Sequence, residues 1–222
     1  GSGKLIHQVL KEELSHCNKT AVMSGPTFAG EVARNLPTAI TVASNSEEFS
    51  KQVSDDLHSG RFRVYSSKDL IGVELGGALK NVLAIAAGAA DGLGFGANTR
   101  AALITRGLAE MMRLGEAMGG RRETFMGLAG MGDLILTCTD NQSRNRRTGL
   151  LLAQGKTLDQ VSKEIGQAIE GIKTAKEVVS LARKYQVEVP ICEQVYRVLH
   201  EGCSIEDAVR TLLSRKSSQE II

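Results

Sequence analysis

Residues 69–96 read DLIGVELGGALKNVLAIAAGAADGLGFG, and this stretch decides the architecture. Leu75, Ala78, Leu79, Val82, Leu83, Ile85 and Ala86 cover most of a helical circumference, and no charge occurs from Asn81 to Ala90. A helix that is apolar on most sides is buried on most sides. Its one lysine, Lys80, must therefore be paired or do chemistry. Burial disfavours a charged ammonium, and a lysine so placed can serve as a general acid or base near neutral pH. The alternative is a lysine whose stem lies in the core while its head reaches water. Gly76-Gly77 and the run Gly92-Leu93-Gly94-Phe95-Gly96 favour the first reading, because glycines let backbone or ligand come close to a buried charge.

Downstream of this helix the pattern stays helical. Asn98 to Met118 is a long helix, with Asn98 or Thr99 expected as its N-cap. Glu123 to Leu128 starts a short helix, and Leu134 to Leu136 reads as strand-like. Helices are expected over residues 145–154, 157–165 with Thr157 as cap, 171–185, 190–200 and 204–213 with Ser204 as cap. The polar tail from Ser214 is expected to fray. Upstream, residues 4–15 form an amphipathic helix. Short apolar runs at Thr20 to Ser24, Thr38 to Ala43 and Phe62 to Ser66 alternate with helical segments, which argues for α/β layers. Three strands are few for a free-standing sheet. The fold class is thus mostly α with a small α/β remnant, divided at about residue 67 into segments 1–67 and 68–222.

Composition excludes several classes. The net charge is +2 and aromatic residues make up 4%, so neither a nucleic-acid platform nor an anionic membrane is the expected partner. Cys17, Cys138, Cys192 and Cys203 form no C-x-x-C pair, so no metal site is expected. Reduced thiols in the cytoplasm are the default reading. The uncharged part of the long helix is too short for a membrane span.

Three polar stretches look made for binding. Ser24-Gly25-Pro26-Thr27-Phe28-Ala29 lies where a strand gives way to a helix, a place suited to phosphate, though an ordinary turn fits it as well. Cys138 to Arg147 (CTDNQSRNRR) gathers Asn, Gln, Ser and Arg side chains, a set that clamps phosphate; a solvated basic loop is the alternative. Gly166-Gln167-Ala168-Ile169-Glu170-Gly171 is a glycine-bounded acidic loop, fit either for a ribose hydroxyl or for a plain turn.

Together, GPTFA, GVELGGALKNVLAI, GLGFGANTRAALITRGLAEM, GLAGMGDLILTCTDNQSRNRR and GQAIEG occur in an order and spacing that resembles bacterial NAD(P)-dependent glycerol-3-phosphate dehydrogenase. The resemblance runs from about Lys4 to Leu213. It implies an oxidoreductase that reduces dihydroxyacetone phosphate to sn-glycerol 3-phosphate, the entry to glycerophospholipid synthesis. It implies that Lys80 exchanges a proton with the substrate oxygen. It implies substrate contacts at Gly25, Thr27, Lys80, Asp133, Ser143, Arg144 and Asn145. Contacts to NAD or NADP are implied at Ala29, Arg144, Ala168 and Glu170. It also implies a phosphorylated small-molecule substrate, a cytoplasmic location and a homodimer. By the same resemblance, residues 1–67 are the end of a Rossmann-type nucleotide domain and 68–222 a helical substrate and dimerisation domain. No G-x-G-x-x-G follows a strand anywhere in the chain. The chain therefore reads as the later part of such an enzyme, inactive in isolation. The reading from another class is a non-catalytic helical module that dimerises or binds a phosphorylated ligand.

Overall fold

A computed structural model describes residues 3–14, 16 and 19–215; residues 216–222, where fraying is expected, and Cys17 lie outside the described residues. In chain order the elements are α1 (Ile6–Glu13), β1 (Ala21–Ser24), α2 (Ala29–Ala33), β2 (Thr38–Ser44), α3 (Glu47–Leu57) and β3 (Phe62–Ser67). After these come α4 (Leu70–Gly92), α5 (Ala97–Ala117), α6 (Arg122–Phe125), a π-helical turn at Leu128–Gly132, and α7 (Asp133–Thr139). The remainder is α8 (Arg144–Ala153), α9 (Leu158–Ile165), α10 (Glu170–Tyr185), α11 (Pro190–His200) and α12 (Ile205–Leu213).

The mostly helical architecture with a small sheet is as the sequence implies. The strands form one sheet in the order β1-β2-β3, with β1 antiparallel to β2 and β3 parallel to it. Sheet alternation sends Ile40, Val42 and Val64 to one face, where Val53 of α3 packs on them. Ala43 and Val22 face the other way, onto Leu70 and Val73 of α4. The sheet thus lies against the N-terminal half of α4.

Around the rest of α4 is one continuous core. Leu75, Leu79, Val82, Leu83 and Ile85 meet Met111, Met112 and Leu114 of α5, Leu134 and Cys138 of α7, Ala175 and Val178 of α10, and Cys192 and Val195 of α11. By length and composition alone α4 is apolar enough to cross a membrane, but 67% of that apolar window is buried inside this fold, as in a core helix. Helix α8 crosses α4 at backbone contact. A Cβ on Gly88 would sit 1.9 Å from the Arg146 carbonyl oxygen, and one on Gly149 would sit 2.0 Å from that of Ile85. Only glycine at both positions permits this approach, and it brings the start of α8 beside Lys80.

Two local expectations are overturned. Leu134 to Leu136 is helix, not strand-like. Leu134, Thr137 and Cys138 are buried while Ile135 is 45% exposed, a helical period that three apolar residues are too few to reveal. The N-cap of α5 is Gly96, not Asn98 or Thr99. The chain turns at Gly94 with φ +80° and enters the helix before either side chain can cap it.

Candidate active site

Lys80 lies on α4, and its ammonium donates to Asp133 Oδ2 at 2.5 Å. The lysine side chain is 21% exposed and the aspartate 3%, so the carboxylate is buried and the cation is the member of the pair that reaches solvent. Asp133 is delivered by the π-helical turn, whose wider coil ends at Gly132 and starts α7 at the carboxylate. Such turns concentrate at functional positions. Burial raises the pKa of Asp133 above the ordinary carboxylate value. Lys80, and hydrogen bonds from Thr137 and Ser24, pull it back down. Thr137 donates to Oδ1 from one turn further along α7, at 3.2 Å.

A second group of side chains forms at the start of α8. Ser143 caps that helix, its hydroxyl oxygen accepting the Arg146 N–H. Its own O–H proton stays available to donate. Asn145 Nδ2 donates to Asn81 Oδ1 at 2.9 Å, and Asn145 Oδ1 accepts the Gly171 N–H at 2.9 Å. A Cβ on Gly171 would lie 2.7 Å from that Oδ1, which explains the glycine that closes GQAIEG. Asn81 in turn donates to Glu170 Oε2 at 3.0 Å. Arg144 donates from Nη1 to the Ala168 carbonyl at 2.9 Å and places Nη2 3.9 Å from Glu170 Oε1. Arg144, Ala168 and Glu170 therefore share one corner. The carboxylate there is 62% exposed, and the guanidinium 36%.

The turn at 24–29 links β1 to α2. Gly25 is buried, Thr27 and Ala29 are exposed, and the Thr27 hydroxyl donates to the Gly25 carbonyl at 3.1 Å. Glu31 of α2 accepts from Gln142 Nε2 at 3.3 Å, beside Ser143. Among the described residues, Thr27 and Ala29 make no hydrogen bond to the Lys80 or Arg144 groups.

The sequence reading takes Arg146 as a solvated charge, and the structure corrects this. Arg146 is 7% exposed and donates to Asp91 Oδ2 at 2.6 Å, an acceptor shared with Arg100 at 2.8 Å. Asn81, Thr137 and Ser24 were not singled out. Asn81 adjoins Lys80, and Thr137 falls one helical turn after Asp133, so both signals were present once those anchors were known.

The match to a family model, the description of which is NAD-dependent glycerol-3-phosphate dehydrogenase C-terminus, covers residues 69–210. The model for the N-terminus of the same enzymes matches residues 1–50. The chain belongs to the NAD-dependent glycerol-3-phosphate dehydrogenase family. It is 59% identical to the glycerol-3-phosphate dehydrogenase [NAD(P)+] of Thioalkalivibrio sulfidiphilus over 219 residues, 99% of this chain and 66% of that protein. It is 60% identical to that of Nitrosococcus oceani over 220 residues, 99% of this chain and 64% of that protein. The crystal structure of glycerol-3-phosphate dehydrogenase from Coxiella burnetii superposes with a TM-score of 0.92 at 54% identity, covering 96% of this chain and 65% of that one. The chain thus spans about two thirds of the length of the family members it matches.

Proposed function

We propose that the intact protein reduces dihydroxyacetone phosphate to sn-glycerol 3-phosphate with NADH or NADPH, in the supply of glycerophospholipid precursors. The observation that carries this reading is the Lys80–Asp133 pair, a cation held at the mouth of a buried carboxylate. In this reading Lys80 donates a proton to the C2 oxygen as that oxygen gains negative charge. A fixed ammonium at that point lowers the barrier both as an acid and as a charge. Asp133 keeps the ammonium aimed. Arg144, the free N–H of Asn145 and the Ser143 O–H hold the phosphate, so binding energy far from C2 places the reacting carbon. Gly25 and Thr27 line the substrate side of the strand–helix turn.

The donor set also fits a dinucleotide. The guanidinium of Arg144, the carbonyl of Ala168 and the exposed carboxylate of Glu170 form a solvent-facing corner that can take ribose hydroxyls and an amide. Ala29, exposed at the start of α2, is assigned to the same cofactor. When bound, the nicotinamide supplies the hydride. We assign residues 1–67 to the end of the nucleotide domain and 68–222 to the helical substrate domain.

The protein is further read as a cytoplasmic homodimer. The free thiols of Cys138, Cys192 and Cys203 suit a reducing compartment. A groove of about 1290 Å³ between α4, α5, α11 and α12 offers an apolar face to a second copy. The test of the function is direct. The intact protein is given dihydroxyacetone phosphate with NADH or NADPH, and absorbance is followed. Turnover that vanishes with unphosphorylated dihydroxyacetone supports the reading; equal rates on both ketones, or none on either, contradict it.

A further inference from the structure

The glycine-rich bend after α4 is used by none of the chemistry described above. Residues 91–100 read DGLGFGANTR, and Gly94 turns the chain with φ +80°. The bend folds the start of α5 back toward the end of α4, where Arg100 Nη1 donates to Asp91 Oδ2 at 2.8 Å. The same oxygen accepts Arg146 Nη1, from the first turn of α8, at 2.6 Å. One carboxylate oxygen thus ties α4, α5 and α8 together. The Asp91 and Arg146 side chains are 10% and 9% exposed, so water screens this pair weakly. Arg146 Nε is buried with no acceptor, so among the described residues the Arg146 side chain is held through Asp91 alone. The backbone of Arg146 is fixed as well. Its N–H goes to the Ser143 hydroxyl oxygen, and its carbonyl fills the space that a Cβ on Gly88 would need. The three residues just before it are Ser143, Arg144 and Asn145, the phosphate clamp of the proposed reaction.

We propose that Asp91 is a positioning residue for that clamp: by holding Arg146 it fixes the first turn of α8, and with it the place of Ser143, Arg144 and Asn145. The proposal rests on the reading of those three residues as the phosphate site. The crossing at Gly88 and Gly149 sets how close α8 comes to α4. The Asp91 contact, about one turn further along α4, is a second fixed point, and it stops the start of α8 from pivoting about the first. Arg100 steadies Asp91 from the side of α5, so the glycine bend serves the clamp by bringing a third helix to the same oxygen. A clamp held in this way gives up little freedom when it takes an anion. Asp91 touches no ligand in this account; it acts through Arg146. Its charge separates positioning from simple attraction. By Coulomb's law alone a carboxylate behind the clamp opposes a bound phosphate. Removing that charge should then tighten phosphate binding, whereas loss of positioning should weaken it.

The experiment compares Asp91→Asn, Arg144→Ala and the double variant with wild type in the intact protein. The first readout is the affinity for inorganic phosphate by calorimetry, which needs no turnover. The second is kcat and KM for the phosphorylated ketone. Asp91→Asn is expected to weaken phosphate binding by about 10-fold, roughly the cost of one charge-assisted contact to the anion. It should raise KM by the same factor and leave kcat nearly constant, since Lys80 keeps its partner. In the Arg144→Ala background the same change should cost clearly less, because part of the clamp it positions is already gone. Wild-type or tighter phosphate binding in Asp91→Asn overturns the proposal, even if the urea midpoint falls, and so does the full loss repeated in the Arg144→Ala background. If Asp91→Asn does not fold, Asp91→Glu decides, since it keeps the charge and moves the carboxylate by one methylene. Severalfold weaker phosphate binding in that variant supports the proposal, and wild-type affinity overturns it. A wild-type protein that binds phosphate without reducing the ketone would count against the reaction alone, and the affinities would still settle the role of Asp91. A wild-type protein that binds no phosphate overturns the clamp and this proposal with it.

Discussion

The two cations, Lys80 and Arg144, live in opposite circumstances. Lys80 is clamped onto a buried aspartate that also accepts the Thr137 hydroxyl. Arg144 stands at an exposed corner, and its contacts are one backbone carbonyl and a carboxylate at 3.9 Å. The asparagine relay Asn145–Asn81–Glu170 runs from the Arg144 corner to Asn81, the residue after Lys80 on α4. The difference teaches that the proton-transfer end is set in advance, at the cost of burying charge. The phosphate and nucleotide end keeps its donors near solvent, where a ligand can claim them without first breaking a buried ion pair. A preset group saves reorganisation during the reaction. An exposed one supplies binding.

If that contrast holds, removing Lys80 harms chemistry above all. Lys80→Met in the intact protein is expected to lower kcat by about 10³-fold, within the usual range for general acid–base groups. KM for the phosphorylated ketone changes little. Steady-state kinetics check it, and a large KM change at constant kcat would reverse the assignment of the two ends.

The next largest effect concerns a neighbour of Arg144 that resembles it only in sequence. Arg146→Ala should destabilise the fold by about 3 kcal/mol, because it removes one partner of a buried ion pair. Urea unfolding measures this. An unchanged midpoint would mean that Arg100 alone satisfies Asp91. Arg144→Ala should leave stability nearly untouched and raise KM for the ketone by about 10- to 100-fold, the loss of a charge-assisted phosphate contact. Equal KM effects at Arg144 and at the exposed Arg147 would show that the clamp lies elsewhere.

A further effect, spread over a pH range, lies far from the Lys80–Asp133 pair. Glu110 is 1% exposed, and its carboxylate accepts the backbone N–H groups of Ile191 and Cys192 at the start of α11. Burial raises its pKa from 4.5 to about 7, against those hydrogen bonds and Arg113. The folded state therefore holds a proton that the unfolded chain releases near pH 4.5. This contribution is full below pH 4.5 and is lost as pH rises toward 7, by up to about 1.4 kcal/mol per pH unit. Urea midpoints across that window should show the slope, and Glu110→Gln should flatten it.

Much of this fold was legible because its signals are local. Thr157 and Ser204 cap their helices as read, and the apolar wrap of residues 75–86 marked α4 as the core. What escaped depends on contacts distant in sequence. Arg146 looked solvated because its partner, Asp91, lies 55 residues away. The antiparallel entry of β1 has no signature in four residues. In the site, the residues alone pointed to Lys80 and to the run around Arg144. The pairing with Asp133 rested on family resemblance, since one acid in GMGDL looks like any helix-starting aspartate.

The central claim is that the buried Lys80 end and the exposed Arg144 end belong to one ligand. It is tested most directly by a crystal structure of the intact protein with dihydroxyacetone phosphate bound. The account predicts the C2 oxygen within hydrogen-bonding distance of Lys80 Nζ, and the phosphate on Arg144 with Ser143 or Asn145. A ligand whose phosphate sits against Lys80, or which touches only one of the two ends, would contradict it.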